Sequence, residues 1–162
     1  MINIDGESLK ISDLVKVAYE NEEIAISDFG REKILKSNKR LLKILKDENP
    51  VYGLNTGFGI FANQVISKRD NEKLNRNLII SHAVGTGEPL PREIVRATML
   101  IRANALTKGY SGVRIEIVQT LIDMLNENVL PMIYSKGSLG SSGDLCMLAQ
   151  MALVLSEGED VN

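Results

Sequence analysis

Ser141, Ser142 and Gly143 stand inside the string Gly137-Ser138-Leu139-Gly140-Ser141-Ser142-Gly143-Asp144-Leu145, directly before an apolar stripe at helical spacing. On a tight turn, a Ser-Gly peptide can bring a backbone amide back to a carbonyl two residues earlier. The nitrogen of Gly143 would attack the carbonyl carbon of Ser141 and close a nitrogen heterocycle with loss of water. Loss of the Ser142 hydroxyl as a second water would leave an exocyclic methylidene, an electrophile made from the chain itself. Only glycine suits the attacking position, because a Cβ would obstruct the compressed approach. The ordinary reading of the same string is a loop that ends in a helix N-cap, with Ser142 capping and Asp144 beside the positive end of the helix dipole. For this segment taken alone, loop and cap is the commoner meaning of such residues.

The elements that must hold these residues read as helices. Ile2 to Ile4 suggests a short strand, and Ser12 an N-cap for a helix from Asp13 to Glu20. Charged segments with apolar residues at helical spacing predict helices over Ser27 to Lys46, Asp70 to Ala83, Pro91 to Lys108 and Val113 to Glu127. The second helix should stop before Asn49-Pro50, since the residue before proline is biased away from helix. A final helix carries Leu145, Leu148, Ala149, Ala152 and Leu155 on one face. An all-α fold with at most a short N-terminal strand is expected, with function left to the loops.

Three further polar elements each have a plain explanation. The loop Val51-Tyr52-Gly53-Leu54-Asn55-Thr56-Gly57-Phe58-Gly59 is glycine-rich, but it lacks the Lys-Ser/Thr ending of a phosphate loop and follows no strand. Tyr52 could simply pack, and Asn55 and Thr56 could orient the loop. Ser81-His82 falls at a helix end, where a lone histidine is more often satisfied by the dipole or the core than catalytic.

Composition narrows the function classes. The 162 residues are 44% hydrophobic and 25% charged, with a net charge of −2, and read as a soluble globular chain. Interspersed charge of both signs gives no footprint for nucleic acid or an anionic membrane. No apolar run reaches a membrane span, and Met1 to Asp5 lacks the character of a signal peptide, so a cytoplasmic location is expected. Cys146 and His82 are the single cysteine and histidine. Neither a disulfide nor a metal site is expected from them.

Taken in order, four blocks carry more than any one of them. Val51 to Gly59, Asn77 to Gly87, Val95 to Asn104 with Gly109 to Arg114, and Gly137 to Leu145 together resemble the histidine and aromatic amino-acid ammonia-lyases. The resemblance covers the whole chain but only the N-terminal part of that longer family. It implies an ammonia-lyase/fumarase-like, mainly helical fold and a methylidene-imidazolone formed autocatalytically from Ser141, Ser142 and Gly143, with no metal and no diffusible cofactor. It gives Tyr52 an acid/base role, for which a phenol needs its anion stabilised. The Ser81-His82 pair matches the dipeptide associated with substrate choice and points to L-histidine, because an imidazole wants hydrogen-bonding partners that a hydrocarbon ring would leave unpaired.

The implied reaction is non-oxidative elimination of ammonia from L-histidine to give trans-urocanate. A phenylalanine or tyrosine lyase, an aminomutase, and a non-catalytic interaction module are the alternatives. Ser141 stands where the family usually has alanine, Tyr134 and Met147 where it has prolines, and Asn75 where it has glutamine. The family also implies a homotetramer whose sites are completed by later residues and by neighbouring subunits. On that basis the apolar faces of Val113 to Glu127 and Leu145 to Leu155 are expected to be left for a bundle supplied by the missing portion, with self-association as the result. The polar run Ser156 to Asn162 reads as a truncation rather than a closing element.

Overall fold

A computed structural model of the chain describes residues 1–47, 49–57, 65–137 and 145–155. The electrophile triad Ser141, Ser142 and Gly143, the neighbouring Asp144, and the loop residues Phe58 and Gly59 lie outside the described residues. The elements run β1 (Ile2–Ile4), α1 (Ile11–Glu20), β2 (Ile24–Ile26), α2 (Asp28–Ile44), a 3-10 turn at Leu45–Asp47, α3 (Lys68–His82), β3 (Thr86–Pro89), α4 (Arg92–Thr107), α5 (Ile115–Asn126), β4 (Tyr134–Lys136) and α6 (Leu145–Leu153). The fold is mainly helical, as expected. The one expected strand is joined by three more.

Those strands form two small ladders. β1 and β2 pair in parallel, Ile2 with Ile24 and Ile4 with Ile26, across the α1 connection. β3 and β4 pair antiparallel, Thr86 opposite Lys136 and Pro89 opposite Tyr134. Periodicity could not reveal Thr86-Gly87-Glu88-Pro89 as a strand, because all four residues are exposed and show no apolar alternation.

Helix starts follow local chemistry. Ser27 Oγ accepts from the Gly30 amide at 3.0 Å, and Ser67 Oγ accepts from the Asp70 amide at 3.2 Å. At α1 the cap is Lys10 rather than Ser12. The reason is Asp13, whose carboxylate reaches back to accept the Lys10 amide at 3.1 Å and fixes the first turn two residues early.

The core is centred on α4. Met99, Leu100 and Ala103 are fully buried, and Val118, Leu121, Ile122 and Leu125 of α5 pack with them, together with Ile4, Val17, Ile24 and Ile34. The α5 face expected to be left for a missing bundle is therefore consumed within this chain. On α6 only Ala149 of the expected face is buried, while Leu145 is exposed and Leu148, Ala152 and Leu155 are half-buried; Cys146 and Met151 are buried beside it.

Arg96 lies inside this core at 1% exposure. Its Nε donates to the Val17 carbonyl at 2.8 Å and one terminal nitrogen donates to the Leu125 carbonyl at 2.9 Å. The first carbonyl belongs to the last turn of α1 and the second to the last turn of α5. One guanidinium thus satisfies two helix C-termini and meets the negative end of both dipoles. Burial, then the charge of Arg92, lowers its pKa from the ordinary value.

Candidate active site

His82 closes α3. Its Nδ1 lies 2.7 Å from the Leu78 carbonyl one turn back, and Ser81 Oγ donates to the same carbonyl at 3.0 Å. A carbonyl only accepts, so Nδ1 carries the hydrogen and Nε2 is the ring nitrogen left for another partner. Ser81 Oγ, 3.1 Å from Nδ1, braces the same edge of the ring. The chain then turns through Ala83 and Val84 into Gly85.

Gly85 meets Gly137. The β3–β4 register, continued one pair beyond Thr86 and Lys136, sets them opposite each other. A Cβ built on Gly137 would fall 3.1 Å from the Gly85 Cα and 2.4 Å from Cys146 Sγ. Neither position tolerates a side chain without displacement. Gly137 is the last described residue before the electrophile string and Leu145 the first after it, so the base of that segment is closed by the contact between Gly137 and Cys146.

One helical turn beyond Cys146, Gln150 forms a second tie. Its Oε1 accepts from the Tyr134 amide at 2.9 Å, and a Cβ on Gly85 would collide with its Nε2 at 2.0 Å. Gly137 lies against Cys146 while Tyr134 lies against Gln150, so β4 and α6 run antiparallel with the electrophile string as their connection.

Tyr52 is presented by a different device. The Leu54 amide donates to the Val51 carbonyl at 3.0 Å, closing a turn whose tip is Tyr52-Gly53. Gly53 has φ +74°, which glycine adopts without cost. Asn55, buried, holds the turn from beneath: Oδ1 accepts the Val51 amide at 2.7 Å and Nδ2 donates to the Asn49 carbonyl at 2.9 Å. Asn55 thus orients the loop. Tyr52 opens onto a cleft of about 700 Å³ whose walls carry Lys33, Lys36, Arg40, Lys108 and Tyr110. Lys33 already pairs with Glu7 at 3.0 Å. Ser81 and His82 do not line this cleft.

The His82 end of α3 and the mouth of the electrophile string are thus joined through Gly85 and Gly137, on one side of a chain whose tyrosine loop faces another opening. Residues 9–161 match the aromatic amino acid lyase family. The chain belongs to that family. Among aromatic amino acid lyases it is 54% identical over 152 residues to the histidine ammonia-lyase of Caldanaerobacter subterraneus subsp. tengcongensis, covering 94% of this chain and 30% of that relative. It is 46% identical over 160 residues to the Bacillus subtilis histidine ammonia-lyase, covering 98% of this chain and 32% of that relative. The fold matches ergothionase from Treponema denticola with a TM-score of 0.88 at 33% identity, over 94% of this chain and 30% of that one. Histidine ammonia-lyase from Trypanosoma cruzi superposes with a TM-score of 0.84 at 37% identity, over 94% of this chain and 29% of that one. The chain spans about 30% of the length of the relatives it matches. Lyases of this family use a prosthetic group formed from their own chain.

Sequence reasoning missed Gln150, Gly85 and Gly137 as a cluster. The available signal was a single amide side chain on the otherwise apolar α6 face, one turn from Cys146. No helix among the described residues is long and apolar enough to cross a membrane.

Proposed function

We propose that this chain works as the N-terminal part of a histidine ammonia-lyase, and that the complete enzyme eliminates ammonia from L-histidine to give trans-urocanate. The observation that carries the reading is His82, whose Nδ1 is held by the Leu78 carbonyl and so leaves Nε2 for a ligand, three residues before Gly85 and its contact with Gly137. A substrate imidazole offers an N–H to that nitrogen; a phenyl ring offers nothing and strands it. The same residue pair weighs against a phenylalanine or tyrosine lyase or an aminomutase.

In this reading Ser81 and His82 bind and orient the substrate ring. Ser141, Ser142 and Gly143 form the methylidene-imidazolone, which supplies an electrophilic carbon that no ordinary side chain carries. The reaction removes the α-ammonium and one β-hydrogen and leaves a Cα–Cβ double bond. Tyr52 Oη serves as an acid/base group. Its separate cleft fits a homotetramer in which sites are completed between subunits. A cytoplasmic location and freedom from metal belong to the same reading.

The test is chemical. Cyclisation and dehydration remove two waters, so the complete enzyme should be about 36 Da lighter than its sequence mass and absorb in the near ultraviolet. Ser142→Ala deletes the hydroxyl that must leave, and both signatures should vanish with nearly all lyase activity. An active enzyme of unmodified mass would return the segment to an ordinary capped loop.

A further inference from the structure

Independently of the lyase reading above, we propose that the cleft beside the Tyr52 turn binds a small phosphate ester, with its phosphate on Lys36, Arg40 and Lys108 and its organic part on Leu41, Ile44, Val51 and Leu54. α2 lines this cleft with Lys33, Lys36 and Arg40, and Lys108 lines it from the connection between α4 and α5. Lys33 is already paired with Glu7 at 3.0 Å. The other three cations have no carboxylate partner among the described residues, and none of the described residues lining the cleft is acidic. Like charges three and four residues apart on a helix repel. α2 does carry acids, Asp28 and Glu32, but neither lines the cleft to relieve that repulsion.

A basic helix face that is merely solvated needs no walls, whereas this one has two opposite it. The Lys108 wall is fixed to α2: the Gly112 amide donates to Ser37 Oγ at 3.0 Å, and the Gly112 carbonyl accepts from Asn38 Nδ2 at 2.8 Å. Gly109 and Gly112 stand at φ +76° and +67°, and a Cβ on either would strike α2, at the Lys33 backbone and the Leu41 side chain respectively. The other wall is the turn at Val51 to Leu54, held from beneath by Asn55. Walls fixed in advance leave little backbone to order on binding. The space of about 700 Å³ has the size of a small-molecule site and exceeds what a lone phosphate fills. Leu41 and Ile44 of α2 and Val51 and Leu54 of the turn are half-buried and give the remainder an apolar lining. A phosphate dianion answers three such cations better than a single carboxylate does, and the Arg40 guanidinium can engage two of its oxygens at once.

The complete protein is titrated calorimetrically with phenyl phosphate and with inorganic phosphate at fixed ionic strength, as wild type, K36A/R40A and K39A/K43A. Both double variants remove the same charge from α2, but Lys39 and Lys43 are exposed residues that do not line the cleft. Alanine suits exposed helix positions, so both should fold, and melting temperatures check this. The wild type should bind one phenyl phosphate with a Kd below about 1 mM and inorganic phosphate more weakly. K36A/R40A should weaken phenyl phosphate about tenfold or more, while K39A/K43A should stay within about twofold of the wild type. Absence of saturable binding to the wild type overturns the inference. So does an equal loss in the two double variants, which would trace binding to the general charge of α2, and so does full binding by K36A/R40A. Equal affinity for the two anions overturns the assignment of an ester. None of these outcomes depends on the mass deficit that tests the lyase reading.

Discussion

Gly85 and Gly137 face each other across the β3–β4 ladder so closely that a Cβ on Gly137 would sit 3.1 Å from the Gly85 Cα. This contact lays the segment that leaves the Ser81-His82 end of α3 against the end of β4. Two parts of the sequence more than fifty residues apart come side by side through two missing side chains.

Gly137→Ala should destabilise the protein by about 1–3 kcal/mol, the ordinary cost of overpacking. Its new methyl meets Cys146 Sγ at 2.4 Å. Adding Cys146→Ala removes that sulfur and should restore part of the loss, though the Gly85 contact remains. Chemical denaturation of the single and double variants measures the coupling. Equal losses in both would mean that the sulfur is not the obstacle.

Arg96→Met keeps much of the apolar stem and removes the guanidinium that serves the Val17 and Leu125 carbonyls. A cost of roughly 3 kcal/mol is expected, since hydrogen bonds from a charged donor are strong and both acceptors stay buried. Arg96→Lys should fall between, because one ammonium cannot span both helix ends. Urea midpoints at neutral pH provide the check.

Ser81→Phe with His82→Leu in the complete enzyme should lower kcat/KM for L-histidine and raise it for L-phenylalanine by about 10-fold or more in ratio, as polar partners are exchanged for apolar contacts. If both substrates change equally, the pair does not read the ring.

Asp5 provides a pH signature. Amide bonds from Ser8 and then Glu7 lower its pKa from 3.8 to about 2, with Oδ1 accepting the two amides at 2.8 and 2.7 Å. A carboxylate with a depressed folded-state pKa contributes stability above its unfolded value and loses it as pH falls. The contribution should thus be complete above about pH 4 and gone below about pH 2. Asp5→Asn should lower the melting temperature at pH 6 and leave it nearly unchanged near pH 2. A difference of the same size at both values would refute the assignment.

Much of this protein was legible from local residue chemistry. Ser27 and Asn49-Pro50 bounded α2, the apolar period of Val118, Leu121, Ile122 and Leu125 defined α5, and Tyr52-Gly53 marked a structured loop. These features depend on neighbours within a few residues, so the order of types along the chain suffices to determine them. The α1 start differed because two local capping choices competed and the Asp13 carboxylate won. The four blocks that resembled the ammonia-lyases were likewise written in the sequence, which is why the family could be read without coordinates.

Only tertiary structure decided what those pieces meet. That the α5 face is covered by α4 within the same chain, that Arg96 spans two helix ends, and that Gln150 ties Tyr134 beside Gly85 are contacts between segments far apart in the chain. A helical period reports that a face is apolar but not which partner buries it. β3 emerged for the same reason: Thr86 to Pro89 has no strand pattern of its own and is ordered by the β4 backbone laid against it. The sequence determined the residue types and most helix boundaries, whereas packing determined which segments lie side by side, because proximity is set by the core that the helices build together.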